Sequence, residues 1–219
     1  MKIKAAIFDM DGLLLDTERL SQDSFIEACD IFALAFDPVF YPQLIGLDAK
    51  KGSALLAGFL NGRLVLETFE DKWQQLYDTK LQLGIPVKVG VVELLIHLRK
   101  INLPCAVATS THNVLALEKL RSTGLLPLFD SVVTGEQVVN GKPYPDIFEA
   151  AAKALNAAPQ NCIAFEDSEN GVRAGVAAGM TVVQVPDLVA PSAELLRLGH
   201  FVAVDILTGA RHFGLWDEP

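Results

Sequence analysis

Cysteine is scarce in this chain. Cys29, Cys105 and Cys162 are odd in number, show no CxxC spacing and lie in apolar surroundings, which excludes a disulfide framework or a zinc site and leaves reduced core thiols. Basic residues are in deficit: 18 Lys and Arg stand against 27 Asp and Glu, a formal charge of −9. A protein that grips the backbone of nucleic acid depends on clustered Lys and Arg, so nucleic acid is excluded as a partner. No apolar run reaches the length of about 18 residues that a membrane span needs, which removes a membrane partner. Met1-Lys2-Ile3-Lys4 leads straight into a strand-like stretch with none of the layout of a secretory signal. Repeats and low-complexity tracts are missing as well. What remains is 219 residues, 51% hydrophobic and 21% charged, an ordered globular chain with room for one large domain or for a core with an insert. The expected setting is the cytoplasm, and the expected state a monomer.

What the chain does have is a carboxylate pair at the end of an apolar run. In Ala6-Ile7-Phe8-Asp9-Met10-Asp11-Gly12-Leu13-Leu14-Leu15-Asp16-Thr17, two acids stand two residues apart after a strand-like stretch, and a glycine follows at once. Adjacent carboxylates repel by about 4 kcal/mol at 4 Å if the effective dielectric is near 20. A fold that keeps them together needs a cation or a proton, and a divalent metal is expected here. An isolated DxDG reads equally well as a turn. Three further features favour chemistry: Cys105-Ala106-Val107-Ala108 is a short buried strand ending in Thr109-Ser110-Thr111, Cys162-Ile163-Ala164-Phe165 is another ending in Glu166-Asp167-Ser168, and Lys142 sits between them in the proline-bracketed loop Gly141-Lys142-Pro143-Tyr144-Pro145-Asp146. Open α/β sheets place their ligands at such strand ends.

These segments resemble the four ordered motifs of the haloacid dehalogenase superfamily. The matching residues are Asp9 to Leu20, Ala108-Thr109-Ser110, Gly141 to Phe148 and Phe165 to Val172. They look closest to the branch that holds β-phosphoglucomutase-like and pseudouridine-5'-phosphatase-like proteins. The resemblance implies that Asp9 is the nucleophile, forming an aspartyl-phosphate, and that Asp11 gives a proton to the leaving oxygen and later takes one from water. A carboxylate can serve as the acid only if its surroundings raise its pKa. The resemblance also implies a Mg²⁺ cofactor held by Asp9, the Asp11 main-chain carbonyl and Asp167, with Glu166 as an auxiliary ligand; an all-oxygen set suits that ion. Thr109 and the backbone around Ser110 would bind the phosphoryl oxygens, and Lys142 would neutralise charge there. His112, just past this turn, and Lys50 are further candidates for substrate contact, although a solvent-exposed histidine is the more ordinary reading of the first.

Residues from 88 onward alternate strand-like and helix-like stretches, as a doubly wound parallel sheet does. Strands are expected at 103–108, 131–134, 162–165, 181–185 and, at an edge, 202–204. Helices are expected at 93–100, 114–121, 146–155 with Asp146 as cap, and 172–178. Residues 17–87 show helical stretches at 20–31 and 66–83 and little strand alternation, as an inserted cap would; its Phe59, Phe69, Trp73 and Tyr77 could face a substrate or fill its interior. The predicted architecture is thus an α/β core, 1–16 with 88–219, and a helical cap, 17–87. The preferred function is hydrolysis of a small phosphorylated metabolite, a sugar phosphate or a nucleoside-like monophosphate. A phosphomutase is the second reading, weakened because Ser21 stands where that branch carries a histidine and because the Lys50-Lys51 pair is displaced. A receiver domain also groups acids, a hydroxyl and a lysine at strand ends, but on a middle strand. His97, His200 and His212 show no ligand spacing and read as structural.

Overall fold

The run Ala5-Ala6-Ile7-Phe8 is apolar at every position, which suits a parallel strand covered on both faces, and it forms the fully buried β1 (Ala5–Phe8). The computed structural model describes residues 2–47 and 49–217. They form two compact units, Met1–Asp16 with Pro86–Pro219, and Thr17–Ile85. The second boundary falls at 85/86 rather than at 87/88. Pro86 and Lys88 already belong with the first unit, because the Asp16 N–H donates to the Pro86 carbonyl and the Lys88 N–H to that of Leu14, each at 2.9 Å.

The unit Thr17–Ile85 is helical, with α1 (Thr17–Ile31), α2 (Ala49–Leu60) and α3 (Leu66–Leu83). Its interior is aromatic. The Phe25 ring lies 5.1 Å from those of Tyr41 and Trp73 and 5.2 Å from Phe69, while Phe59 stacks on Phe40 at 4.4 Å. Such offset pairs add to area burial, so Phe59 and Phe69 serve the packing of this unit. Trp73 donates its Nε1–H to the Ser21 carbonyl at 2.9 Å, and with Tyr77 it also lines a groove of about 490 Å³ between the helices, together with Glu18, Ser21, Ser53 and Glu70. Asp48, within the stretch that carries Lys50 and Lys51, lies outside the described residues.

The first unit continues with α4 (Val91–Lys100), β2 (Cys105–Thr109), α5 (Asn113–Ser122), β3 (Ser131–Thr134), α6 (Asp146–Ala154), β4 (Cys162–Glu166), α7 (Glu169–Ala177), β5 (Thr181–Gln184), α8 (Ala193–Leu196), β6 (Phe201–Val202) and α9 (Ile206–His212). The strands form one six-stranded sheet in the order β3-β2-β1-β4-β5-β6, with every pair parallel. This is the doubly wound core expected from the sequence. Receiver-like folds instead use the order 2-1-3-4-5, so that alternative is set aside. β1 lies between β2 and β4, and chain direction across the sheet changes there. The ends of these three strands carry most of the candidate site residues. Phe8 and Phe165 stack at 5.0 Å on the central pair, and Cys105 on β2 and Cys162 on β4 lie buried in the sheet as free thiols. Burial pushes the Cys105 thiol up to about 12, which leaves it unreactive near neutrality.

Two local expectations change. Asp146 does not cap α6: it occupies the first turn after Pro145, and its Oδ1 accepts from the Asn140 N–H and side-chain amide at 3.2 and 3.1 Å, which closes the loop that carries Lys142. Helix α7 starts three residues before 172, because Ser168 is a true N-cap whose hydroxyl accepts from the Gly171 N–H at 3.1 Å. The histidines read as structural have structural partners. His97 meets Trp216 at 5.1 Å, His212 stacks on Phe201 at 3.9 Å, and His200 hydrogen-bonds Gln184 at 2.8 Å.

Candidate active site

The registers Phe8↔Val107 and Phe8↔Phe165 put the next residues, Asp9, Ala108 and Glu166, on one rung across three adjacent strands. The Lys142 ammonium reaches all three. It donates to Asp9 Oδ1, to the Ala108 carbonyl at 3.0 Å and to Glu166 Oε1 at 2.6 Å, so its three N–H bonds are spent on groups that only parallel pairing brings level. Its side chain is 6% exposed and that of Glu166 is fully buried. The other Glu166 oxygen accepts from the backbone and the hydroxyl of Ser168 at 2.9 and 3.0 Å.

Asp167 completes the acidic group. Carboxylate oxygens of Asp9, Glu166 and Asp167 all lie within 4.8 Å of one another, and the Asp167 carbonyl accepts from Gln184 Nε2 at 3.1 Å. Three carboxylates against one ammonium leave a formal excess of two negative charges in a buried place. Burial, with Glu166 adding to it and Lys142 opposing, pushes the Asp9 carboxyl up to about 8. Burial alone would lower Lys142, but Asp9 and Glu166 hold it well above the ordinary lysine value. A divalent cation relieves the same excess without a proton. The donors are hard oxygens, as Mg²⁺ requires, so the residues present fit that ion.

Asp11 stands beside this cluster. Its Oδ2 accepts from the Thr111 hydroxyl and its Oδ1 from the Lys119 ammonium, each at 2.6 Å. Thr109 is buried at the end of β2, and its Oγ1 accepts from the Thr111 N–H at 3.1 Å, which fixes the turn through Ser110. His112 does not join this group: its side chain is 81% exposed and pairs with Glu136 at 3.0 Å. Lys50 is exposed on α2 in the other unit. Asp9, Asp11, Thr109, Ser110, Lys142, Glu166 and Asp167 all belong to the first unit, and the strand ends collect them.

The motif reading gives two contributors no role. Lys119 sits on the inner face of α5 beside Ala116 and Leu120 and is 4% exposed. A lysine inside an apolar helical stripe is the signal that could have found it. Gly171 is the other, since a Cβ built there would overlap the Glu166 carboxyl group.

Comparison with known proteins identifies the family. Residues 3–179 match the family of haloacid dehalogenase-like hydrolases, and the chain belongs to it. It is 33% identical over 178 residues to the phosphorylated carbohydrates phosphatase of Thermotoga maritima, covering 81% of this chain and 82% of that one. It is 36% identical over 195 residues to the probable pseudouridine-5'-phosphatase of Drosophila melanogaster, covering 85% and 83%. The crystal structure of a HAD family hydrolase from Deinococcus radiodurans R1, with bound phosphate and sodium, superposes with a TM-score of 0.82 at 25% identity, covering 99% of both chains. With relatives of these names, this chain is a phosphoric monoester hydrolase.

Proposed function

We propose that this chain is a Mg²⁺-dependent phosphatase of a small phosphorylated metabolite, a sugar phosphate or a nucleoside-like monophosphate, working in the cytoplasm through an aspartyl-phosphate on Asp9. The observation that carries the reading is the rung on which Lys142 joins Asp9 to Glu166 with Asp167 beside them. Asp9, the Asp11 carbonyl and Asp167 would hold the cation, while Glu166, with both oxygens engaged, holds Lys142 in place. Bound there, Mg²⁺ supplies charge to offset that of the phosphoryl group.

In the first step an Asp9 oxygen forms a bond to phosphorus, the phosphorus–oxygen bond to the metabolite breaks, and the leaving oxygen takes a proton from Asp11. In the second, water forms the new bond, the Asp9–phosphorus bond breaks, and Asp11 takes the water's proton. Thr109 and the Ser110 backbone orient the transferring group, and Lys142 opposes the charge it carries. Positioning and charge stabilisation supply most of the rate in such transfers.

The unit Thr17–Ile85 is the proposed source of specificity. Its groove offers the rings of Trp73 and Tyr77 beside the polar groups of Glu18, Ser21, Ser53 and Glu70, a lining suited to the hydroxyls and flat faces of a sugar or nucleoside. The relatives named for phosphorylated carbohydrates and pseudouridine-5'-phosphate support the same range. A panel of sugar phosphates, nucleoside monophosphates and phosphoglycolate, assayed with Mg²⁺ and with excess chelator, tests the whole reading. Activity is expected only with metal. Tyr77→Ala and Lys50→Ala should reorder the substrates, whereas Lys142→Ala should depress all of them together. Full activity in chelator would remove the metal; a cap series that scales every substrate by one factor would remove the division of labour.

Metal affinity gives a second check. Asp167→Ala should weaken Mg²⁺ binding more than Glu166→Ala, because Glu166 already has its donors. With Asp9 raised to about 8, a cation entering below that pH displaces a proton. Apparent affinity should therefore climb by up to about tenfold per pH unit towards pH 8 and level off above it. Calorimetry in two buffers of different ionisation heat reads the released proton directly, and a pH-independent affinity between 6 and 8 would contradict the displacement.

A further inference from the structure

We infer that Lys119 is a positioning residue for the acid–base step, holding Asp11 by Oδ1 so that Oδ2, against Thr111, is the oxygen through which protons pass. The inference rests on the phosphatase reading above and adds a residue to it.

The contacts that carry it are few and short. Lys119 Nζ lies 2.6 Å from Asp11 Oδ1, and Thr111 Oγ1 lies 2.6 Å from Asp11 Oδ2. The Lys119 side chain is 4% exposed and that of Asp11 20%. The two donors differ in kind. An ammonium has hydrogens and no lone pair, so Oδ1 facing it can only accept. A hydroxyl both donates and accepts, so Thr111 can stay hydrogen-bonded to Oδ2 whether or not that oxygen carries a proton. Of the two oxygens, the one against Thr111 is thereby the one suited to exchange.

Stability does not explain the arrangement. A buried ion pair is often matched or bettered by apolar residues of similar size, and Lys119 takes a place on α5 between Ala116 and Leu120 where leucine or methionine would suit the stripe. At 2.6 Å it meets the carboxyl group of Asp11, the residue that must turn a proton over twice per cycle. A lysine here can act on the rate without touching substrate.

The test uses two esters and the full-length chain. p-Nitrophenolate leaves without a proton, whereas the alkoxide of an alkyl phosphate such as glycerol 3-phosphate requires one. Lys119→Met should therefore lower kcat/KM for glycerol 3-phosphate at least tenfold more than for p-nitrophenyl phosphate. With the aryl ester, kcat should still drop, because the second step needs Asp11 as base. Rapid mixing should then show a burst of p-nitrophenolate approaching one per protein molecule. Lys119→Arg, which keeps the charge and a donor, should recover part of the loss on the alkyl ester. Equal losses on both esters with no burst would mean that Lys119 only supports the fold, and the inference fails while the phosphatase reading stands. A wild-type chain that hydrolyses neither ester nor any phosphate of the panel would end the phosphatase reading and this inference with it. If Lys119→Met does not fold, judged by its thermal transition, Thr111→Val removes the partner of Oδ2 instead, and the same excess loss on the alkyl ester is expected; equal losses there overturn the inference.

Discussion

Asp9→Asn should lose turnover by roughly four orders of magnitude or more, the scale on which removal of a covalent nucleophile is felt, and should do so without loss of fold. The amide is nearly the shape of the carboxylate but cannot form an acyl-phosphate. Lys142 keeps two of its three partners, Glu166 Oε1 at 2.6 Å and the Ala108 carbonyl at 3.0 Å. Burial first, with Glu166 adding to it, pushes Asp9 up to about 8, and a neutral amide in its place carries no such cost, so the metal-free variant should melt no lower than the wild type. BeF₃⁻, a phosphate mimic that occupies a carboxylate, should bind at Asp9 in the wild type and not in the variant. Steady turnover by Asp9→Asn, at a rate above any wild-type carry-over, would dismiss Asp9 as the nucleophile. A variant that fails to fold would show that the carboxylate, not only its shape, holds the rung together.

Gly171→Ala should be nearly as damaging, although Gly171 carries no chemistry. The backbone of α7 passes so close to Glu166 that a Cβ at 171 would occupy the space of its carboxyl group. A long side chain could often swing aside. This one cannot do so freely, because Glu166 is fully buried and its two oxygens are spent on Lys142 and on the Ser168 backbone and hydroxyl. Displacing it leaves buried charged groups short of partners, at a cost of about 3–5 kcal/mol. In a chain of this size that lowers Tm by roughly 6–20 °C, at about 2–4 °C per kcal/mol. Lys142 would also lose its anchor, so kcat should fall for every phosphate ester alike. Thermal unfolding and the substrate panel check both parts. An alanine variant with wild-type Tm and rate would show that the Glu166 carboxyl group is not held as the hydrogen bonds indicate.

Much of the core was legible because buried parallel strands are written as short apolar runs. Ala6-Ile7-Phe8, Cys105 to Ala108 and Cys162 to Phe165 are strands for that reason, and the acids, hydroxyls and lysine that follow them announce the site. The helical character of Thr17–Ile85 also showed in its periodicity. Other features did not show. Asp146 looks like a helix cap in isolation, yet it turns back to Asn140, because a loop seven residues long brings it the backbone and side-chain donors of that residue, which the sequence does not reveal. His112 is one residue from the Thr109–Thr111 turn and still points to Glu136 and solvent, since adjacency along a chain says little about direction at a helix start.

The sequence alone determined the family, the parallel α/β core and the helical insert, and it singled out Asp9, Asp11, Thr109, Lys142 and Asp167 as the candidate chemical groups, because each follows from local pattern or from ordered motifs. Only the tertiary structure decided how they are wired. Strand register placed Asp9, Ala108 and Glu166 level, so that one ammonium could serve all three. Helix packing brought Lys119 across 108 positions of sequence to Asp11 and pressed Gly171 against Glu166. Hydrogen bonds and close approaches depend on distances in space, and those are fixed by how strands and helices pack, not by the spacing of residues along the chain.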